Sequence, residues 1–156
     1  MEFKLWDDVR KLQNDRSIFR DWKARFKGAL RQTSSVKGWR ELVKYLESPD
    51  TMKRGEVGVP EILVWFSGPD AQTARDEGLT EEGIRKFAEE LDAVFQAKCE
   101  EKSQACTLWH RANEDGIKAY FWIHVWYMQT SGEGIVQRTK NIMQPPQAKG
   151  DAEVMY

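Results

Sequence analysis

Five cations, Arg16, Arg20, Lys23, Lys27 and Arg31, stand at spacings of four, three, four and four. Those spacings place them in one row along an α-helix. A row of ammonium and guanidinium groups suits one chemistry in particular, the binding of phosphate. Lys37, Arg40 and Lys44 continue the basic region, and the nine basic residues between Arg16 and Lys44 meet only Asp21 and Glu41 as acids. The net charge of -1 hides this asymmetry, because a local basic face draws anions whatever the total. Two other uses of the row stand beside phosphate binding. A cationic row is the usual solvated side of an amphipathic helix. The segment 70–102, with ten acidic against five basic residues, offers a counter-face within one molecule or between two.

The second constellation is aromatic. Residues 117–129, IKAYFWIHVWYMQ, carry Tyr120, Phe121, Trp122, Trp126 and Tyr127, with Lys118 as the single charged residue. As a strand, this stretch points Phe121, Ile123 and Val125 one way and Trp122, His124 and Trp126 the other. Asp115–Gly116 is a hairpin turn signal, and QACTLWHR (104–111) supplies the partner strand. With a two- or four-residue turn, the resulting antiparallel hairpin has one aliphatic face and one face bearing Trp109, Trp122, Trp126 and Tyr120 beside Arg111 and His124; a three-residue loop reverses which residues share a face. Covered by the N-terminal helices, the second face is core. Left exposed, it stacks nucleobases at about 1–3 kcal/mol per base or anchors a protein interface.

Little else in the chain suits bond-making chemistry. The two imidazoles, His110 and His124, fall on opposite faces of the hairpin and cannot share a metal. Cys99 and Cys106 form no C-x-x-C motif, so no zinc set can be assembled. Two cysteines fit free, buried thiols in a reducing compartment better than a disulfide framework, a Cys99–Cys106 bridge being the alternative. The P-loop, the dinucleotide fingerprint and the nucleophile elbow are all absent. Glu114 and Asp115 sit in a turn, where carboxylates serve conformation. These readings assign no catalytic residue, no metal ligand and no cofactor.

The elements that position these groups follow from periodicity. Leu5, Val9 and Leu12 make a short apolar stripe, and Phe19, Trp22, Phe26 and Leu30 continue at helical spacing behind Ser17 as N-cap. Trp39, Leu42, Val43 and Leu46 mark a third helix that stops before Pro49. The next run, SPDTMKRGEVGVP, is a loop by composition. EILVWF (61–66) is apolar throughout, as an interior strand is. Thr80 N-caps a helix over 80–99 with the stripe Ile84, Phe87, Ala88, Leu91, Val94 and Phe95, and Leu79 staples against Ile84. The predicted fold is α+β: about three helices over 5–48 packed on a β-α-β-β sheet unit over 60–130, in one domain of residues 1–130. Residues 131–156 are polar and turn-rich and form a flexible tail. With 156 residues, 40% of them hydrophobic and seven Trp and seven Phe among them, the chain can build a real core. A charged N-terminus argues against a signal peptide, and no apolar run approaches the ~20 residues of a membrane span. The expected location is intracellular, cytoplasmic or nuclear.

Two segments carry resemblances. DWKARFKGAL (21–30) resembles the recognition helix of the interferon regulatory factor family, over about ten residues and without that family's earlier tryptophan-rich pattern. The layout of helix 80–99 followed by TLWHRANEDGIKAYFWIHV is similar to the HUH nucleases, which carry two metal-binding histidines around one apolar residue of a strand. Trp122 replaces the first of those histidines and only His124 remains, so the resemblance implies at most a degenerate nuclease. The residues themselves point to a non-enzymatic interaction domain that binds nucleic acid. Its contact set is Arg16, Arg20, Lys23, Lys27, Arg31, Lys37 and Arg40 from the basic helices, with Trp109, Arg111, Trp122 and Trp126 from the aromatic face. The rival expectation is a protein-binding or self-assembling module, a homo-oligomer joined through complementary basic and acidic faces.

Overall fold

Residues 117–129 form a helix. The computed structural model describes residues 6, 7 and 9–129, and among these there is no strand. A 3-10 turn over Arg16–Ile18 leads into α1 (Phe19–Thr33), followed by α2 (Trp39–Leu46), α3 (Pro49–Met52), α4 (Val59–Phe66), α5 (Gln72–Asp76), α6 (Glu81–Lys98), α7 (Gln104–Ala112) and α8 (Gly116–Gln129). The α+β expectation is therefore overturned, and with it the β-α-β-β unit and the C-terminal hairpin. The extended pairing that does occur among the described residues is an isolated parallel bridge between Leu12 and Cys99. It docks the N-terminal segment, expected as helical, onto the end of α6. No described helix is long and apolar enough to cross a membrane. The expected tail, 131–156, lies outside the described residues.

Each misread strand has a local reason to be a helix. EILVWF belongs to α4, whose first turn holds Pro60, where a missing N–H costs nothing. Glu61 reaches back to accept the Gly58 N–H at 2.7 Å. QACTLWHR is α7 almost in full, N-capped by Ser103, whose hydroxyl accepts the Cys106 N–H at 3.1 Å. Asp115–Gly116 is a helix start. Asp115 Oδ1 accepts the Lys118 N–H at 3.0 Å and its Oδ2 accepts the Val59 N–H at 2.8 Å, so one carboxylate caps both α8 and α4. Asp, a turn residue, is equally a good N-cap. The chain reaches Asp115 through Asn113 and Glu114, both in the left-handed region.

The two-sided apolar character of 117–129 marks a helix surrounded by other helices. Ile117, Ala119, Tyr120, Phe121, Ile123, His124 and Tyr127 are buried, while Lys118, Trp122, Val125 and Trp126 are half-buried. α6 and α7 pack against α8. α1 runs antiparallel to it: Phe19 stacks on Tyr127 at 4.5 Å between ring centroids, and Phe26 on Tyr120 at 5.7 Å. Phe26 also stacks on Trp22 at 5.0 Å and on Phe95 of α6 at 5.9 Å. The N-terminal helices thus cover α8, as the core reading of the aromatic face requires for Tyr120 and His124. The α1 and α6 predictions hold closely, Thr80 capping α6 by accepting the Gly83 N–H at 2.9 Å. Ser17 does not cap α1: Asp15 caps the 3-10 turn before it, its carboxylate accepting from the Ser17 N–H at 3.0 Å, and α1 itself starts after Ile18 with no side-chain cap.

α6 and α8 cross at Gly116. A Cβ there would strike the Ala88 carbonyl and the Asp92 amide and lie 2.7 Å from the Leu91 Cβ. These are backbone-level contacts that cannot relax cheaply. Gly116→Ala is expected to cost about 3 kcal/mol or more in urea unfolding, whereas Gly55→Ala, with nothing within 4 Å of the added Cβ, leaves stability unchanged. Equal midpoints for the two variants would contradict this crossing.

Candidate functional site

The basic row does not act as one unit. Its middle turns inward to a single carboxylate, that of Glu47 at the C-cap of α2. Lys27 Nζ lies 2.9 Å and Lys23 Nζ 3.8 Å from Glu47 Oε1. Tyr120 Oη donates to Glu47 Oε2, and His124 Nε2 lies 3.9 Å from that oxygen. Lys23 also approaches His124 Nε2 at 3.1 Å. A lysine ammonium only donates, so Nε2 accepts and the ring proton sits on Nδ1. That atom is buried and has no hydrogen-bond partner among the described residues.

Burial and charge move this cluster's titrations together. Burial drives His124 down to about 4, with the Lys23 charge adding to it and Glu47 opposing. Burial also lowers Lys23, against the attraction of Glu47. At Glu47 burial works to raise the carboxyl, but hydrogen bonds from Tyr120 and Lys27 and the two ammonium charges outweigh it and hold it below its ordinary value. Burial pushes the Tyr120 phenol well up. The cluster thus gathers a carboxylate, two lysines, an imidazole kept neutral by burial and a phenol, tying α1, α2 and α8 together.

Beyond this cluster α1 and α2 enclose a groove of about 500 Å³. Lys27 and Arg31 stand on its α1 wall and Arg40 and Lys44 on its α2 wall, with Glu47 at one side. Ala24, Gly28, Trp39 and Val43 supply its apolar lining. Lys37 joins Arg31 and Arg40 around an adjoining recess that also touches Glu77. Among the described residues, no ion pair engages Arg31, Lys37, Arg40 or Lys44. The acidic helix α6 does not neutralise them; its buried Glu90 instead accepts hydrogen bonds from Ser34 at 2.8 Å and Ser35 at 3.4 Å.

The remaining expected site residues lie elsewhere. Arg16 lays its guanidinium on the Trp126 ring at 3.6 Å, and Arg111 lies over Trp122 at 4.9 Å with Lys118 at 5.7 Å from the same ring. Trp122 donates its indole N–H to the Gly55 carbonyl at 2.9 Å. Trp109 faces α6 and donates to Asp92 at 2.7 Å. Arg20 is exposed on α1. The aromatic sheet face does not exist as such: its tryptophans are on two helices, and Trp122 and Trp126 are each met by a cation of the protein. His110 is exposed on α7 and His124 is buried on α8. The strand on which the HUH layout depends is thus absent. No three His, Cys, Asp or Glu residues gather to hold a metal among the described residues. Cys99 and Cys106 are free thiols, and burial, with Cys106 nearby, pushes the Cys99 thiol up to about 12.

Residues outside the expected set complete this arrangement. Lys44 extends the groove at i+4 from Arg40, a spacing visible in the sequence. Glu47 carries no sequence signal, and Tyr120, expected on the aromatic face, gives no sign of this partnership, because their meeting depends on α8 being a helix. Comparison with protein-family models, curated proteins and solved structures yields no match.

The His124 environment predicts a specific acid sensitivity. Because its folded value of about 4 lies below the ordinary 6.5, the unfolded chain takes up a proton in that interval that the folded chain refuses. Stability therefore falls as pH drops from about 6.5 to about 4, by about 3 kcal/mol in all. Glu47 adds a further loss only below the ordinary carboxylate range. Urea midpoints measured across this interval should decline in the native protein and flatten in His124→Gln. An imidazole titrating near its ordinary value by NMR would contradict the burial of a neutral ring.

Proposed function

We propose that the protein is a non-enzymatic nucleic-acid-binding module and that the α1–α2 groove is its phosphate site. The observation that carries this reading is the set of Arg31, Arg40 and Lys44 along the groove, with Lys37 beside Arg31 and Arg40 in the adjoining recess, none of them with a carboxylate in ion-pair distance among the described residues. Cations that close together repel each other, and an anion placed between them relieves the repulsion. Their arrangement favours a linear polyanion over a small ligand. Lys27 and Arg31 run along one wall and Arg40 and Lys44 along the other, each pair at i and i+4, about 6 Å of helix rise, whereas small-molecule sites place a few polar groups convergently in an enclosed, mostly apolar pocket. Lys27 contributes less, being held by Glu47, and Lys23 is a positioning residue within the buried cluster. Arg20 extends the basic surface along α1.

A second reading is favoured by α4. Val64 is 73% exposed, and its neighbours Leu63 and Phe66 are only half-buried, an apolar surface suited to docking a protein. The two readings use different faces, so Val64→Asp leaves nucleic-acid binding unchanged if the groove is the site.

Fluorescence anisotropy with a labelled oligonucleotide tests the proposal. With three to four phosphate contacts, the logarithm of affinity falls with the logarithm of salt with a slope of roughly -2 to -3. Joint reversal of Arg31, Arg40 and Lys44 to Glu abolishes binding while leaving the thermal midpoint near that of the native protein. If the triple variant binds as the native protein does, the groove is not the phosphate site.

A further inference from the structure

The geometry points to a single strand, not a duplex, as the occupant of the groove, with phosphates on the cationic walls and bases against the apolar lining; this rests on the groove being the phosphate site. The first observation is where the cations face. Lys27 and Arg31 line a recess whose other wall is α2. The major groove of B-DNA, about 12 Å wide, admits one α-helix. With α2 alongside, α1 cannot enter it with this basic face leading. A flexible strand can instead descend between the helices. There it finds Ala24 exposed, with the largely buried Val43 and Trp39 completing the apolar lining, a small apolar contact that rewards an unstacked base and offers nothing to a duplex, whose bases are hidden.

The second observation is Gly28, at the middle of α1. Glycine inside a helix is unfavourable and ordinarily stands where a backbone needs positive φ or another chain segment comes close. Neither applies. Gly28 is not among the residues of positive φ, and a Cβ there would meet only the Arg31 guanidinium at 3.8 Å. The fold has room for a side chain at this position, and the room belongs to the groove. Keeping it open serves a ligand that reaches the bottom of the recess.

Gly28→Leu is therefore the informative variant, since it fills the groove without changing charge. At one fixed salt concentration, three probes are compared: a short single-stranded oligonucleotide, the duplex of the same sequence, and a base-free polyphosphate of similar charge. The single strand should bind at least about tenfold more tightly than either of the others, the contribution of one base contact. Gly28→Leu should lose most of that advantage while its thermal midpoint stays equal or rises. Equal or tighter duplex binding overturns the inference and leaves the groove as a phosphate site. Equal polyphosphate binding, or undiminished single-strand binding by Gly28→Leu, overturns the role of the bases. Failure of all three probes to bind overturns the phosphate site itself.

Discussion

The carboxylate of Glu47 is the constraint on which the arrangement of α1, α2 and α8 depends. α8 is surrounded by other helices, yet it carries a phenol and an imidazole on its α1-facing side. Buried polar groups are costly unless they find partners. Tyr120 finds one in Glu47, and His124 finds one in Lys23, itself beside Glu47. Breaking such a set by removing one member leaves the others desolvated and unpaired, which costs more than the pairs contribute when intact. The consecutive helices α1 and α2 are thereby held in one register with α8, far from both in sequence.

That register shapes the groove. Lys27 is drawn back to Glu47, so it borders the recess without filling it, and Arg31, one turn further on, is left to face Arg40 and Lys44. The same fold puts the protein's own cations to work at the other candidate site. Arg16 on Trp126 and Arg111 on Trp122 are cation–π contacts, each contributing about 0.5–1 kcal/mol where exposed and more where desolvated. Aromatic rings that look available for stacking in the sequence are thus already in contact with side chains. The chain separates the two halves of the expected interface, one into a groove and one into internal contacts.

What was legible in the sequence was whatever had a helical period. α1, α2 and α6 show apolar stripes at helical spacing, and Thr80 announces α6 by side-chain chemistry alone. α4, α7 and α8 were misread because their signals are degenerate. A short all-apolar run suits a buried strand and a buried helix equally, and a helix buried all round has no polar side to reveal its 3.6-residue period. Asp115–Gly116 begins a helix with the same two residues that close a hairpin. The capping partner that resolves the ambiguity, the Val59 amide, is far away in sequence. The basic residues of the groove were legible because charge imbalance survives any change of secondary structure. Glu47 was not, since one acid among many basic residues acquires meaning only when α8 brings Tyr120 and His124 to it.

The most direct test of this account is to map where an oligonucleotide touches the protein, by following backbone amide and indole NMR signals as a short single strand is added. The account predicts that the shifts concentrate on residues 27–31 and 39–44, including the Trp39 indole, and saturate together. Shifts centred on the indoles of Trp122 and Trp126, or on α4 around Val64, with the α1–α2 signals unmoved, would contradict it.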